Sequence, residues 1–311
     1  MSASVLNAPH FHDEEAAYAF VEAHVWPEGR VCPKCGTVDH SGKLAGKSTR
    51  VGVYKCYDCR KPFTVKVGTI FESSHIPLHQ WLQAMFLICS SKKGISSNQL
   101  HRTLGCTLKT AWFLSHRIRE AMKEPAWPGQ LGGNGKIVES DETYFGRKAG
   151  HEKKRGFRHK HAVMSLVERG GKVRSFHVER VNSSSVRKVL TAQVDPASRL
   201  MTDEAIYYKT PGKAFAEHSA VNHGKEEYVR GEAHTNTLEG FFSVFKRGMK
   251  GVYQHCSEAH LKRYLTEFDF RYNNRVALGV NDSERTSNAL RGVTGKRLTY
   301  RRTNREVRHD A

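Results

Sequence analysis

Asp141, Asp203 and Glu239 are the residues of this chain whose surroundings could support metal-dependent chemistry, and 35 residues lie between the last two. Asp141 sits in Lys136-Ile-Val-Glu-Ser-Asp-Glu-Thr-Tyr-Phe145, a run of strand formers that stops at Gly146 and projects Glu139 and Asp141 from one face. Asp203 closes a second short apolar run, Arg199-Leu-Met-Thr-Asp203, where a strand end would hold a carboxylate at the rim of a sheet. Glu239 opens a helix in which Leu238, Phe241, Phe242, Phe245 and Met249 recur at helical spacing. Lys246 follows close to two turns later, so it and Glu239 can face the same site. Three converging carboxylates can hold two divalent ions roughly 3.5–4 Å apart, one activating an attacking oxygen and the other steadying the leaving oxygen of a phosphodiester. Hard oxygen donors select Mg²⁺ or Mn²⁺. In a chain with 31 acidic residues, an acid at a strand end or in a first helical turn also arises without any such role. The pattern alone leaves Glu139 and Glu142 open beside Asp141, and Glu204 open beside Asp203.

The second candidate ligand set is sulfur. Cys32-Pro-Lys-Cys35 and Cys56-Tyr-Asp-Cys59 are CxxC knuckles with 20 residues between them, at the upper edge of the spacing of a four-cysteine zinc site. Tetrahedral Zn²⁺ needs two tight turns that each bring two thiolates inward, and the knuckles supply them. A redox-active CxxC would need one pair in a thioredoxin-like βαβ setting, whereas both pairs here flank short strands. Cys89, Cys106 and Cys256 are unpaired in sequence and read as inert packing residues. The 18 histidines are scattered and suggest no second metal site.

Positioning these ligands requires a scaffold, and the sequence punctuates one. Residues 13 to 24 read as a short helix with acids in its first turn, ended by Trp26-Pro27. Glycines 42, 46 and 52 mark a hairpin between the knuckles, and Lys61–Val67 gives a closing strand. From Pro77 to Lys123 the period turns helical, and two helices meet at Leu104-Gly-Cys-Thr107, the short glycine-containing turn of a helix-turn-helix. The second of them carries Lys109, His116, Arg117 and Arg119 opposite an apolar face, as a major-groove reader would; an ordinary helical hairpin with solvated charges is the competing reading. Strands are expected over 137–145, 161–169, 172–181 and 200–208, with a Gly170-Gly171 hairpin and a helix over 184–194. That order is the order of a ribonuclease-H-like α/β fold, a mixed sheet with flanking helices. The expected division is helix and zinc ribbon over 1–72, helix-turn-helix over 73–125, linker over 126–135, catalytic domain over 136–280 and a basic tail over 281–311.

Lys and Arg outnumber Asp and Glu by 50 to 31, a formal charge of +19, which favours polyanionic partners and salt-dependent binding. Arg147, Lys148, Lys153, Lys154 and Arg155 crowd the segment between the first two expected strands, where a solvated loop is the default and contact with a phosphate backbone the functional reading. Arg263, Glu267, Arg271 and Arg275 recur every four residues, a ladder that serves either DNA or structure. No apolar stretch approaches the roughly 20 residues of a membrane span, and the first residues lack a secretory signal. Residence in a reducing cytoplasm, associated with DNA, is the expectation.

Several words of this sequence together resemble bacterial insertion-sequence DDE transposases, most closely the ISXO-type group with an N-terminal zinc ribbon. They are Glu139-Ser-Asp-Glu-Thr-Tyr-Phe-Gly146, Met201-Thr-Asp-Glu204, His234-Thr-Asn-Thr-Leu-Glu-Gly240, Lys246-Arg-Gly248 and Arg263-Tyr-Leu-Thr-Glu-Phe-Asp-Phe-Arg-Tyr-Asn-Asn-Arg275. The likeness runs from about Asp13 to the Gly295–Tyr300 word. It implies a ribonuclease-H-like fold, catalytic metal-binding acids at Asp141, Asp203 and Glu239, and a lysine on the same helix at Lys246. Some relatives carry Asn at the third position, where this chain keeps Glu. The resemblance further implies double-stranded DNA as partner, at element ends and target, a homo-oligomer on that DNA, Mg²⁺ or Mn²⁺ for catalysis and structural Zn²⁺ in the ribbon. Related chains share the Glu-Arg-Arg face of the ladder, which extends the candidate DNA contacts to Arg271 and Arg275.

Overall fold

The first helix is fixed by its own boundary residue: the Asp13 side chain accepts the Ala16 N–H at 2.7 Å and opens α1 (Glu14–Val25). The computed structural model describes residues 4–124, 129–152, 155–222, 224, 227 and 229–299. They divide between two compact units, one taking the chain up to Phe86, Ser97–Ala121 and the residues from Ser287 on, the other Leu87–Ser96 and Met122–Thr286.

In the first unit, α1 leads into an antiparallel ribbon of β1 (Ser41–Lys43), β2 (Tyr54–Cys56) and β3 (Pro62–Phe63). The strand expected over 61–67 stops early because the chain turns at Thr64, whose carbonyl accepts the Val67 N–H at 3.1 Å. Glu14 then caps α2 (Leu78–Ser90) from a distance in sequence, accepting the Leu78 and His79 N–H groups at 2.8 and 3.1 Å. The helix-turn-helix is present as α3 (Ser97–Leu104) and α4 (Leu108–Ala121), joined through Gly105 at φ +64°, a backbone conformation that glycine adopts without strain.

The expected reading face of α4 needs correction. His116, Arg117 and Arg119 are buried, at 0, 4 and 2% exposure. An arginine is tolerated inside when its donors are consumed there. Arg117 donates to the Glu72 carbonyl at 2.6 Å and lies over the Trp81 ring, and Arg119 donates to the Ser115 hydroxyl at 3.0 Å. These three are packing residues, and α4 exposes Leu108 and Lys109 at its N-terminal end instead.

The second unit is built on a five-stranded sheet. Its elements are β4 (Ile137–Phe145), β5 (His161–Glu168), β6 (Val173–Val178), α5 (Ser183–Gln193), β7 (Arg199–Asp203), a single turn α6 (Lys209–Gly212), β8 (Glu217–Val221), α7 (Asn236–Gly248) and α8 (Glu258–Asn273). The sheet order is β6-β5-β4-β7-β8, antiparallel through β6-β5-β4 and parallel through β4-β7-β8. This is the ribonuclease-H-like arrangement. Alternation sorts the strand residues between two layers. Val138, Met164, Leu166 and Leu200 pack with Val186 and Leu190 of α5 and with Val194 just past its end, while Val163, Val167 and Val173 pack with the Leu238, Phe241, Phe242 and Phe245 stripe of α7 and with Leu261, Leu265 and Phe268 of α8. Each such buried Leu, Val or Phe contributes about 1.5–3 kcal/mol. β7 ends at Asp203 rather than continuing to 208, because the Asp203 carboxylate accepts the Ala205 N–H at 3.1 Å and the chain turns into a 3₁₀ segment over Ile206–Tyr208.

The charge ladder of α8 is also largely internal. Glu267 is fully buried and pairs with the buried Arg271, whose guanidinium lies over the Phe268 ring; the Tyr253 hydroxyl donates to the same carboxylate. Arg275 donates to the Gly171 and Tyr272 carbonyls at 2.9 and 2.8 Å. Arg271 is thus removed from the set of DNA contacts, and Arg275 is half-buried with one guanidinium nitrogen, Nη1, shared between two backbone carbonyls. Residues from 281, expected as a basic tail, include α9 (Asp282–Arg291), opened by a reciprocal Asn281–Glu284 capping box with both bonds at 3.0 Å. Beyond it the Val293 carbonyl accepts the Ile70 N–H at 3.1 Å, and Thr69 bridges Thr294, stitching the last described residues into the first unit. Among the described residues no helix is long and apolar enough to cross a membrane.

Arg271→Ala should cost about 3–5 kcal/mol in urea unfolding, since it strands the buried Glu267 charge, whereas a paired Glu267→Leu, Arg271→Met exchange should come close to wild-type stability. A loss of DNA affinity in folded Arg271→Ala without any loss of stability would return Arg271 to the DNA-contact set.

Candidate active site and zinc ribbon

The first acid of the β4 motif is structural. Glu139 is fully buried and its carboxylate accepts from Arg169 Nε at 2.7 Å, from the Thr237 hydroxyl at 2.7 Å and from the Leu238 N–H at 3.1 Å. Thr235 precedes α7 without capping it through its side chain, so Glu139 on the sheet fills that role and places a full negative charge at the helix's N-terminus. Arg169 extends the brace, donating to the Glu232 and His234 carbonyls at 2.8 and 2.9 Å. Glu139 is thereby set aside as a metal ligand.

The remaining carboxylates separate as clearly. β4 pairs with β7 only as far as Glu139 opposite Met201, and beyond that point the two strands part. Asp141, Glu142 and Asp203 bring carboxylate oxygens within 4.8 Å of one another there. Glu204 faces away, exposed, with its carboxylate taking the Gly224 N–H at 3.1 Å. Glu142 starts on the opposite face of β4 from Asp141, where the Tyr208 hydroxyl donates to it at 3.0 Å and is itself reached by the Ser140 hydroxyl at 3.2 Å. Burial, and then the negative charges of Asp203 and Asp141, push the Glu142 carboxyl up to about 8, against the Tyr208 hydrogen bond. Oxygens on one octahedral Mg²⁺ lie about 3.0 Å apart when adjacent and about 4.2 Å when opposite, so this hard-donor group fits such an ion with small adjustments. Glu239 is outside the trio. It is exposed in the first turn of α7, with its N–H bonded to the Thr235 carbonyl at 3.0 Å, and Lys246 is exposed on the same helix while the Leu238–Phe245 stripe is buried.

In the ribbon the four thiols converge. Cys32 Sγ lies 3.7 Å from Cys59 Sγ and Cys35 Sγ lies 3.6 Å from Cys56 Sγ, with all four within 4.8 Å of one another. A tetrahedron with Zn–S bonds of about 2.3 Å has sulfur–sulfur edges of about 3.8 Å, so the cage suits structural zinc. Trp26, Tyr54 and Phe63 pack around it.

Of the basic residues expected to meet DNA, Lys109, Arg147 and Arg155 are exposed, and Lys148 donates to the Glu179 carbonyl at 3.1 Å. Lys153 and Lys154 lie outside the described residues.

Comparison with known proteins places this geometry. Residues 130–273 match the ISXO2-like transposase domain, and residues 12–62 match the transposase zinc-ribbon domain. The chain carries the domain of the ISXO2-like transposases together with a transposase zinc ribbon. The transposase is 27% identical over 272 residues to an uncharacterized protein in transposable element ISH50 of Halobacterium salinarum, covering 79% of this chain and 86% of that one. A chain in the structure of a simian T-cell lymphotropic virus intasome in complex with PP2A regulatory subunit B56 gamma aligns at a TM-score of 0.30 and 15% identity, over 55% of the transposase and 63% of that chain, just under two thirds of its length. A likeness that distant adds nothing to the assignment. The DDE domain makes the transposase a member of a class of nucleic-acid-cleaving enzymes.

Glu139→Ala should lower the transposase's stability by about 3–5 kcal/mol in urea unfolding by stranding Arg169, while Asp141→Asn and Asp203→Asn, which relieve like-charge repulsion, should be neutral or stabilising without metal. Glu142 has a folded value raised to about 8 from 4.5, so its contribution is fully present below about 4.5 and metal-free stability should fall as pH rises from about 4.5 to 8. Mg²⁺ binding near pH 7 should then expel about one proton per site, read by calorimetry in buffers of different ionisation enthalpy. Glu142→Gln should abolish that proton; an unchanged release would move the proton to another group.

Proposed function

We propose that the transposase binds the terminal inverted repeats of its insertion sequence and performs both DNA cleavage and strand transfer at the Asp141–Asp203 site, with Glu239 completing the ligand set from α7. The observation that supports this most is the gathering of Asp141, Glu142 and Asp203 where β4 and β7 part, in the domain that also holds Glu239 and Lys246 on one helix. Bound Mg²⁺ or Mn²⁺ would supply two positive centres, one for the entering and one for the leaving oxygen. Asp141 and Asp203 would hold them. Glu239, exposed in the first turn of a helix anchored by Glu139, would complete the set, and Lys246, exposed on the same helix, would offer its ammonium to a phosphate oxygen.

In the first step water attacks the phosphodiester at the element end, the bond to the 3′ oxygen breaks, and that oxygen leaves as a free 3′-hydroxyl. In the second the hydroxyl attacks a target phosphodiester in line and displaces a target 3′ oxygen. No covalent enzyme intermediate is needed. Lys109 at the exposed start of α4 is the candidate base contact, since recognition helices read with their N-terminal residues. Arg147, Arg155, Lys153 and Lys154 are assigned to phosphates, which position DNA without reading it. Holding two element ends at once requires at least two copies on the DNA.

The test uses linear DNA ending in the inverted repeats that flank the gene, with Mg²⁺. Wild type should join repeat ends to target. Asp141→Asn, Asp203→Asn and Glu239→Gln should each lower joining by at least about a hundredfold while repeat binding persists, since a lost metal contact removes several kcal/mol of transition-state stabilisation. Lys109→Ala should narrow the preference for repeat over random DNA, and Lys153→Ala with Lys154→Ala should weaken both alike. Cleavage with no joined product would make the protein a nuclease, and joining by Glu239→Gln at the wild-type rate would remove Glu239 from the ligand set.

A further inference from the structure

We propose that His161, His177 and Glu258 form a second transition-metal site, distinct from the ribbon cysteines and from the carboxylates, that takes a zinc-class divalent ion on two imidazole nitrogens and one carboxylate oxygen. The three residues come from β5, β6 and the first position of α8, and one donor atom from each lies within 4.8 Å of the other two. The register sets the imidazoles beside each other: Val163 is opposite His177, so His161 is the diagonal neighbour of His177 on the same face, the face that carries Val163 into the α7–α8 core. Glu258 closes the triangle, its Oε1 3.7 Å from His177 Nε2. Zinc with bonds of about 2.0–2.2 Å to nitrogen and oxygen spaces its tetrahedral ligands about 3.4 Å apart, and Glu258, mostly exposed, is free to close the difference.

Independent observations point to an ion rather than a mere hydrogen-bonded cluster. His161 is 2% exposed and the His177 side chain 10%, yet His161 Nδ1 and His177 Nε2 are buried without a hydrogen-bond partner. Folded proteins seldom leave such atoms bare. The His161 ring is hydrogen-bonded to the Arg147 backbone, the kind of outer contact that fixes the tautomer and orientation of a metal-bound imidazole. The rings meet at 67° with centroids 5.4 Å apart, a tilt that does not stack them. Burial, the first cause at each ring, holds both imidazoles below the ordinary histidine value, so they stand neutral with a lone pair available at pH 7. Three protein donors leave one tetrahedral position for water, and the ion would clip the start of α8 to the sheet.

Co²⁺ titration of the full-length protein, its ribbon loaded with zinc and excess Mg²⁺ present, separates this site from the others. Wild type should take up one further Co²⁺ per chain, with ligand-field absorption but no thiolate charge-transfer band, and its melting temperature should rise on loading. Glu258→Gln, on an exposed side chain, and His177→Ala should each weaken that uptake at least about tenfold while ribbon zinc and circular dichroism stay unchanged. The Asp141→Asn and Asp203→Asn variants should retain it, so failure here is distinguishable from failure of the catalytic assignment. No further Co²⁺ in wild type, or equal uptake by folded Glu258→Gln, overturns the site.

Discussion

Glu139 is the contact on which the catalytic unit turns. A carboxylate with no access to water is stable only when its lone pairs are met, and here a guanidinium, a hydroxyl and a helix N–H meet them. Each of those donors belongs to a segment that must be placed: Arg169 follows β5, and Thr237 and Leu238 begin α7. The one buried charge therefore fixes the angle and height at which α7 leaves the sheet, and with it the position of Glu239, the residue after Leu238. The aromatic stripe of α7 supplies most of the apolar contact, but apolar packing alone tolerates sliding, whereas a multiply bonded carboxylate does not.

Three residues along the same strand, Glu142 solves the opposite problem. Glu139 is neutralised by an arginine, while Glu142 has two acids nearby and a single neutral hydroxyl donor, so without an ion it keeps a proton near neutral pH. Adjacent stretches of β4 thus hold a satisfied charge that serves the fold and an unsatisfied cluster suited to a cation. The parting of β4 from β7 is what permits the second: a continuing ladder would pair the backbone there and leave no gap for carboxylates arriving from both faces of the sheet.

Much of this was legible in the sequence because period and spacing carry it. Strand β4 falls on the expected 137–145, the α7 stripe is buried where helical spacing puts it, and the paired CxxC words converge as four thiols. Charge was the weaker guide. Arg117, Arg119 and Arg271 look like surface residues in sequence, but the Glu72 carbonyl, the Ser115 hydroxyl and the Glu267 carboxylate hold them inside; the first partner is distant in the chain, and the other two, one turn away on the same helix, are buried only once the helices pack. β8 escaped notice because Glu217-His-Ser-Ala-Val221 is a half-covered edge strand without a clean alternation. Choosing among Glu139, Asp141 and Glu142 required tertiary structure, since all three sit on one strand and only their neighbours differ. The histidines looked scattered because diagonal pairing across β5 and β6 joins positions that share no local motif.

The bridge between Thr69 and Thr294 gives the order of synthesis a meaning. The unit that carries the ribbon and the helix-turn-helix is assembled from segments on both sides of the catalytic unit, so its early residues leave the ribosome long before Val293 and Gly295 arrive to close on Ile70 and Gly68. At about 5–20 residues per second, more than ten seconds can separate the two halves of that unit. The intervening catalytic unit has its whole sequence in hand first. A nascent chain would therefore possess its acids before it possesses a finished N-terminal unit, and premature termination near Arg291 would leave the former without the latter.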